Sequence, residues 1–143
     1  MITDVQCLCS TARAATRELT RRYDDALRPA GLRTTQLSLL SRLADEGSMP
    51  VTQLAARLGV DRTSLTRELA VLTRRNLVAA ERATDRRSRV ISLTTAGRQA
   101  LGVAWPLWEE AQAAALAGLG AQRIERLMDD LRAVSAQLTR RAA

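Results

Sequence analysis

The sequence predicts a mainly α-helical fold with a small β-hairpin wing: a winged helix-turn-helix core at residues 34–97, flanked by helices at 5–33 and 98–143 that are read as dimerisation elements. Three observations carry this. Two short amphipathic patterns stand on either side of Gly59, a hairpin pattern with an arginine-rich tip follows them, and longer apolar-striped segments lie on both flanks. At 143 residues, the whole length is the size of one domain.

The elements follow in order. A first helix is expected over Val5–Leu27, ending before Pro29-Ala30-Gly31, and a second over Thr34–Ala44, marked by Leu37, Leu40 and Leu43. The third runs from Thr52 to Leu58 with Leu54, Ala55 and Leu58 on one stripe; Thr52 is read as its N-cap and Gly59 as its stop. A fourth runs from Arg62 to about Arg75, with Asp61 placed to cap its first turn. Burying Leu65, Leu69 and Leu72, at i, i+4 and i+7, turns Thr63, Thr66, Arg67, Ala70 and Arg74 to the opposite side.

That outer stripe has the chemistry of a recognition helix. Arginine donates two hydrogen bonds to a guanine edge, threonine meets bases or phosphates, and small neighbours let a helix sit deep in the major groove. The hairpin then pairs Leu77–Arg82 with Ser88–Leu93 across the polar turn Ala83-Thr84-Asp85-Arg86-Arg87. Arg86, Arg87 and Arg89 suit a narrow minor groove, whose negative potential attracts guanidinium, and Arg82 suits a phosphate. The candidate DNA-contacting residues are therefore Arg62, Thr63, Ser64, Thr66, Arg67, Arg74, Arg82, Arg86, Arg87 and Arg89. The bland readings are a solvated helix face and a charged hairpin that protects its own edge.

After the hairpin, a helix is expected from Thr95 to about Ala117, kinked at Pro106, whose ring blocks a backbone hydrogen bond. Gly118 and Gly120 break the pattern, and a last helix carries Ile124, Leu127, Leu131, Val134 and Leu138 on one face. The winged core is too small to cover such stripes, so they are expected to meet a second copy. A two-fold dimer would set two recognition helices about one DNA turn apart, matching a palindromic site. The alternative is a monomeric bundle with the helices folded back.

Charge agrees with a DNA partner. All 22 basic residues are arginine against 15 acids, and nine of those arginines lie between Thr52 and Arg89 with only four acids, so the net positive charge concentrates on the winged unit. An apolar content of 46% with 26% charged residues is that of a folded globule. No apolar run approaches a membrane span of about 20 residues, and Asp4 stands where a signal peptide would be basic, which leads us to expect a cytoplasmic protein. No histidine is present, which removes the usual general base, the triads built on it and the commonest metal ligand. The seven glycines form no phosphate loop, and the pairs Asp24-Asp25, Glu109-Glu110 and Asp129-Asp130 diverge on a helix. No catalytic residue, metal or cofactor is therefore expected, and the chain is not read as an enzyme.

On these residues the chain resembles the MarR family of bacterial transcriptional regulators. The resemblance rests on Val51-Thr52-Gln53-Leu54-Ala55, on Val60-Asp61-Arg62-Thr63-Ser64-Leu65-Thr66-Arg67, and on Asp85-Arg86-Arg87 followed by Leu93-Thr94-Thr95-Ala96-Gly97. It implies flanking helices that build a dimer, and repression relieved by a small molecule or an oxidant. It also implies base contacts at Thr66 and Arg67, a wing arginine at Arg87, an acidic partner for the wing at Asp85, a helix cap at Thr94 and close packing at Gly97.

Two features compete as the sensor. Cys7 and Cys9 are the only cysteines, and the peroxide-sensing branch of the family carries its reactive cysteine in the first helix. Both lie within the expected first helix, two residues apart, so their side chains should diverge by about 200°; Tyr23 is the only tyrosine, so that branch's tyrosine partners are missing. The second feature is an effector pocket of the kind that holds phenolic or aromatic carboxylates in the family. Arg13 and Arg17, one turn apart, would hold the carboxylate, and Trp105 and Trp108 would supply flat walls. Pairing of those arginines with Glu18 or Asp24, and tryptophans serving as core or dimer contacts, are the structural alternatives. The expectation is a homodimeric repressor of a palindromic operator, released by a small aromatic or phenolic ligand or by oxidation. The alternatives are an interaction module whose basic wing takes an acidic protein and, behind it, a thiol redox enzyme built on Cys7 and Cys9.

Overall fold

Among the described residues, six α-helices surround a small three-stranded antiparallel sheet. The computed structural model describes residues 7–82 and 89–141. Helix α1 spans Leu8–Leu27 and passes into a single 3₁₀ turn at Arg28–Ala30; α2 spans Thr34–Glu46, β1 Met49–Pro50, α3 Val51–Leu58 and α4 Arg62–Arg74. Strands β2, Val78–Arg82, and β3, Arg89–Leu93, form the hairpin, and α5, Thr95–Leu116, and α6, Ala121–Arg141, complete the chain.

The sheet order is β1-β3-β2. Hairpin register sets Val78 opposite Leu93 and Arg82 opposite Arg89, while β1 sets Met49 opposite Ile91. The two-residue β1 was not expected. It is too short to show alternation, and it is a strand only because the outer edge of β3 is there to receive it. Its presence also moves the start of α3. Strand β1 runs straight into the helix, so the residue with extended backbone before the first turn is Pro50, at φ −60° and ψ 147°, and Thr52 lies inside the helix instead of capping it.

Most other boundaries match the sequence reading. Gly59 ends α3 in the left-handed conformation at φ 64°. Asp61 caps α4, its carboxylate accepting from the Ser64 amide at 2.8 Å. Leu65, Leu69 and Leu72 are buried, and with Leu27, Leu39, Leu40, Leu43 and Leu54 they form the core between α2, α3, α4 and the sheet. At the root of the wing, Thr94 caps α5 by accepting from the Gly97 amide at 2.9 Å, and its hydroxyl reaches the carbonyls of Asn76 at 2.7 Å and Leu77 at 3.0 Å.

Helix α5 runs without interruption through Pro106 and packs against α1 and α2. Its contact with α1 is aromatic and polar: the Tyr23 and Trp108 rings stack with centroids 6.5 Å apart, and the Tyr23 hydroxyl donates to Gln112 Oε1. Burial raises the Tyr23 hydroxyl above its ordinary pKa. Helix α6 is the opposite case. From Ala121 to Leu138 only Ile124 is even partly covered; Leu127, Leu131 and Leu138 remain 48%, 46% and 63% exposed. No helix among the described residues is long and apolar enough to cross a membrane.

Candidate nucleic-acid interface

Helix α4 is held from below by three leucines and from its start by Asp61, and both features decide what it shows outward. Arg62, Thr63, Ser64, Thr66, Arg67, Ala70 and Arg74 are all exposed. Asp61 does more than accept the Ser64 amide. The Ser64 hydroxyl donates to its second carboxylate oxygen at 2.6 Å, and these Ser64 bonds hold the Asp61 carboxyl below its usual range. Ser64 is thereby committed to the cap, and its hydroxyl proton is not free for a phosphate. Thr66 is also engaged: its hydroxyl donates to the Arg62 carbonyl at 2.7 Å, so it presents a methyl group and an acceptor lone pair outward. That combination fits a thymine methyl or a base amino group better than a phosphate.

Beside α4 the wing encloses a cleft of about 520 Å³. Arg62, Thr66 and Arg74 line it from α4, Arg89 from β3, and Leu69 and Ile91 form part of its floor. None of Arg62, Arg67, Arg74 and Arg89 has an ion-pair partner among the described residues. Three other arginines of this region are ion-paired: Arg33 with Glu68 at 2.9 Å, and Arg42 and Arg57 with Glu46 at 2.7 and 3.2 Å. Arg62, Arg74 and Arg89 thus share the wing cleft with Thr66, while Arg67 borders a separate concavity on the α2 side of α4. Arg82 ends β2, opposite Arg89 in the ladder. Asp85, Arg86 and Arg87 lie outside the described residues.

The sensor candidates separate. Cys7 is the N-cap of α1, with extended backbone at φ −84° and ψ 113°, and only Cys9 lies within the helix. The angular argument that set the two thiols apart therefore does not apply to Cys7. The amides at the helix start, Ser10 first and then Cys9, lower the Cys7 thiol from its ordinary pKa. Both cysteines are free.

Trp105 and Trp108 lie against each other, ring centroids 5.0 Å apart, and Trp105 Nε1 donates to Glu109 at 2.9 Å. Trp105 borders two adjoining surface cavities between α2 and α5, of about 510 and 260 Å³, and Trp108 borders the smaller one. Arg13 and Arg17 line neither; they are exposed on α1. The charged groups that do line them are Arg42, Asp45 and Arg98, and Ser41 Oγ is buried there without a hydrogen-bond partner. Sequence reasoning missed these because their meeting depends on how α2 crosses α5, which no local pattern states.

Comparison with known proteins gives the same picture. The MarR family model matches residues 30–88. The Mycobacterium tuberculosis transcriptional regulator MosR, solved in complex with DNA, is 43% identical, with 91% of this chain and 97% of that one aligned at a TM-score of 0.81. A second MosR structure is 39% identical over 94% and 99%, TM-score 0.83. A mutant MarR from E. coli complexed with operator DNA shares the fold at TM-score 0.82 and 22% identity, over 89% of this chain and 92% of that one. So does Bordetella bronchiseptica BpsR, whose DNA binding is regulated by 6-hydroxynicotinic acid, at TM-score 0.83 and 20% identity over 92% and 95%. A search among curated protein sequences gives no match.

Proposed function

Because the chain belongs to the MarR family, and is a winged-helix, DNA-binding transcription regulator and not an enzyme, we propose that it acts as a homodimeric repressor of a palindromic operator. The observation that carries this is the unpaired arginine and threonine face of α4, continuous with the Arg89 side of the wing cleft. In this reading Arg67 and Thr66 read bases in the major groove. Arg62, Thr63 and Arg74 fix the helix on the backbone, Ser64 serves the cap, and Arg82 meets a phosphate. Arg86 or Arg87, with Arg89, enters the minor groove. The exposed stripe of α6 supports the dimer, because a monomer would leave Leu127, Leu131 and Leu138 in water. The DNA-bound MosR and E. coli MarR structures support the DNA partner.

Release is assigned to a small aromatic acid. BpsR, regulated by an aromatic carboxylate, supports that class. Trp105 and Trp108 would wall the ligand, and Arg98, which has no ion-pair partner among the described residues, would take the carboxylate in place of Arg13 and Arg17. A second route, oxidation by a peroxide, is favoured by the place of the free Cys7 at the N-cap of α1, where the helix-start amides lower its thiol, with the free Cys9 of the first turn as the resolving thiol.

The test is the salt dependence of binding to a duplex pool of random sequence. If six or more phosphates are contacted, affinity should fall by about a thousandfold between about 50 and 200 mM salt. A shallow dependence would instead favour the protein-interaction module.

A further inference from the structure

We infer that Glu68 is a positioning residue: it clamps α4 to the start of α2, fixes the roll of α4 about its own axis, and so aims Arg67. The inference rests on the base-reading role proposed for Arg67. Glu68 follows Arg67 directly on α4, at the border of the face buried by Leu65, Leu69 and Leu72. Its carboxylate crosses to α2, where Oε1 accepts from Arg33 Nη2 at 2.9 Å and Oε2 from Gln36 Nε2 at 3.1 Å.

The receiving end of the clamp is rigid. Gln36 is 3% exposed and, among the described residues, is the one polar residue buried as a whole. Its own Oε1 accepts from the Arg33 amide at 3.2 Å, so the side-chain amide is tied on both sides and cannot turn without losing a bond. The next amide, that of Thr34, donates to Asp24 of α1 at 2.7 Å. Glu68 is thus bonded to a helix start that α1 itself holds in place.

Apolar packing alone does not supply this control. A concavity of about 300 Å³ lies between α2 and α4, bordered by Thr35, Leu39, Val60, Ser64 and Arg67. Leucine contacts are non-directional, whereas hydrogen bonds weaken steeply with misalignment. A roll of about 20° would carry a side-chain tip at a radius of about 6 Å through about 2 Å, enough to break a two-pronged contact with a base.

The charge of Glu68 makes the inference separable from simpler roles. An acid beside a DNA-facing arginine opposes phosphate binding, so a bystander Glu68 would weaken all DNA alike, and removing it would strengthen all DNA alike. A positioning Glu68 acts on the ratio. The experiment measures the affinity of the full-length chain for its selected duplex and for a scrambled duplex, with thermal melting alongside. Glu68→Ala should lower the ratio of specific to non-specific affinity by about tenfold or more, comparable to one mismatched base pair, while non-specific affinity holds or rises. Glu68→Gln, which keeps an acceptor for Gln36, should retain most of the ratio. If Glu68→Ala does not fold, Gln36→Leu, which removes the buried donor, carries the same expectation. Affinities that rise together or fall together, with the ratio kept, would overturn the inference. A wild-type chain with no sequence preference would overturn it along with the base-reading role; a wild-type preference that Glu68→Ala leaves intact would overturn the positioning role alone.

Discussion

Gly97 lies directly against the carbonyl of Leu77: a Cβ built on it would stand 2.1 Å from that oxygen and 2.6 Å from Leu93 Cδ1. The carbonyl also accepts the Thr94 amide at 3.2 Å, so the root of the hairpin and the first turn of α5 are locked at one point. The wing leaves the core from this junction. Gly97→Ala should therefore destabilise the fold by about 1–3 kcal/mol, as over-packing of a tight site does, and should lower DNA affinity beyond what the remaining folded fraction accounts for. Thermal melting and duplex binding, measured together, check both parts.

Arginines that read bases and arginines that hold phosphates separate by mutation. Arg67→Ala should cost about 1–3 kcal/mol on the selected sequence and relax base preference, whereas Arg82→Ala should weaken binding to every duplex alike and flatten the salt slope by about one unit. Equal loss on specific and scrambled DNA for Arg67→Ala would count against its base-reading role.

The stripe on α6 sets the third expectation. Leu127→Glu with Leu131→Glu places two charges where Leu127 and Leu131 are about half exposed in a single chain. Sedimentation should show the wild type as a dimer and this variant as a folded monomer, with operator affinity reduced far more than affinity for a single half-site. A variant that stays dimeric would move the interface away from α6.

Cys7 gives an expectation in pH. Its lowered pKa means that more thiolate is present at neutral pH than for a free cysteine, for which the midpoint is near about 8.5. Alkylation of a Cys9→Ser variant should therefore show a rate midpoint below that of an unstructured cysteine peptide measured alongside, and dilute peroxide should cut DNA binding of the wild type but not of Cys7→Ser. Oxidant sensitivity that survives Cys7→Ser would remove the thiol from the release mechanism.

Much of this was legible in the sequence, because the relevant interactions are local. The cap of α4 joins Asp61 to Ser64, the stop at Gly59 needs only its left-handed backbone, and the buried stripe of Leu65, Leu69 and Leu72 follows from helical spacing. What sequence reading missed is non-local. Strand β1 exists only through β3, and its two residues displaced the expected cap from Thr52 to Pro50. The Glu68 clamp joins residues 32 and 35 positions apart, and in the sequence Glu68 looks like one more exposed acid on an amphipathic helix. The tryptophan cavities depend on the packing of α2 and α5, so the arginines nearest in pattern, Arg13 and Arg17, are not the ones that line them.

The central claim is that two copies of α4 read an inverted repeat. Selection of bound sequences from random duplex DNA by the purified full-length chain, at near-physiological salt, tests it most directly. The expected result is an enriched inverted repeat with half-site centres about 10 base pairs apart. A pool that enriches no sequence, at any salt and with the protein folded, would contradict it.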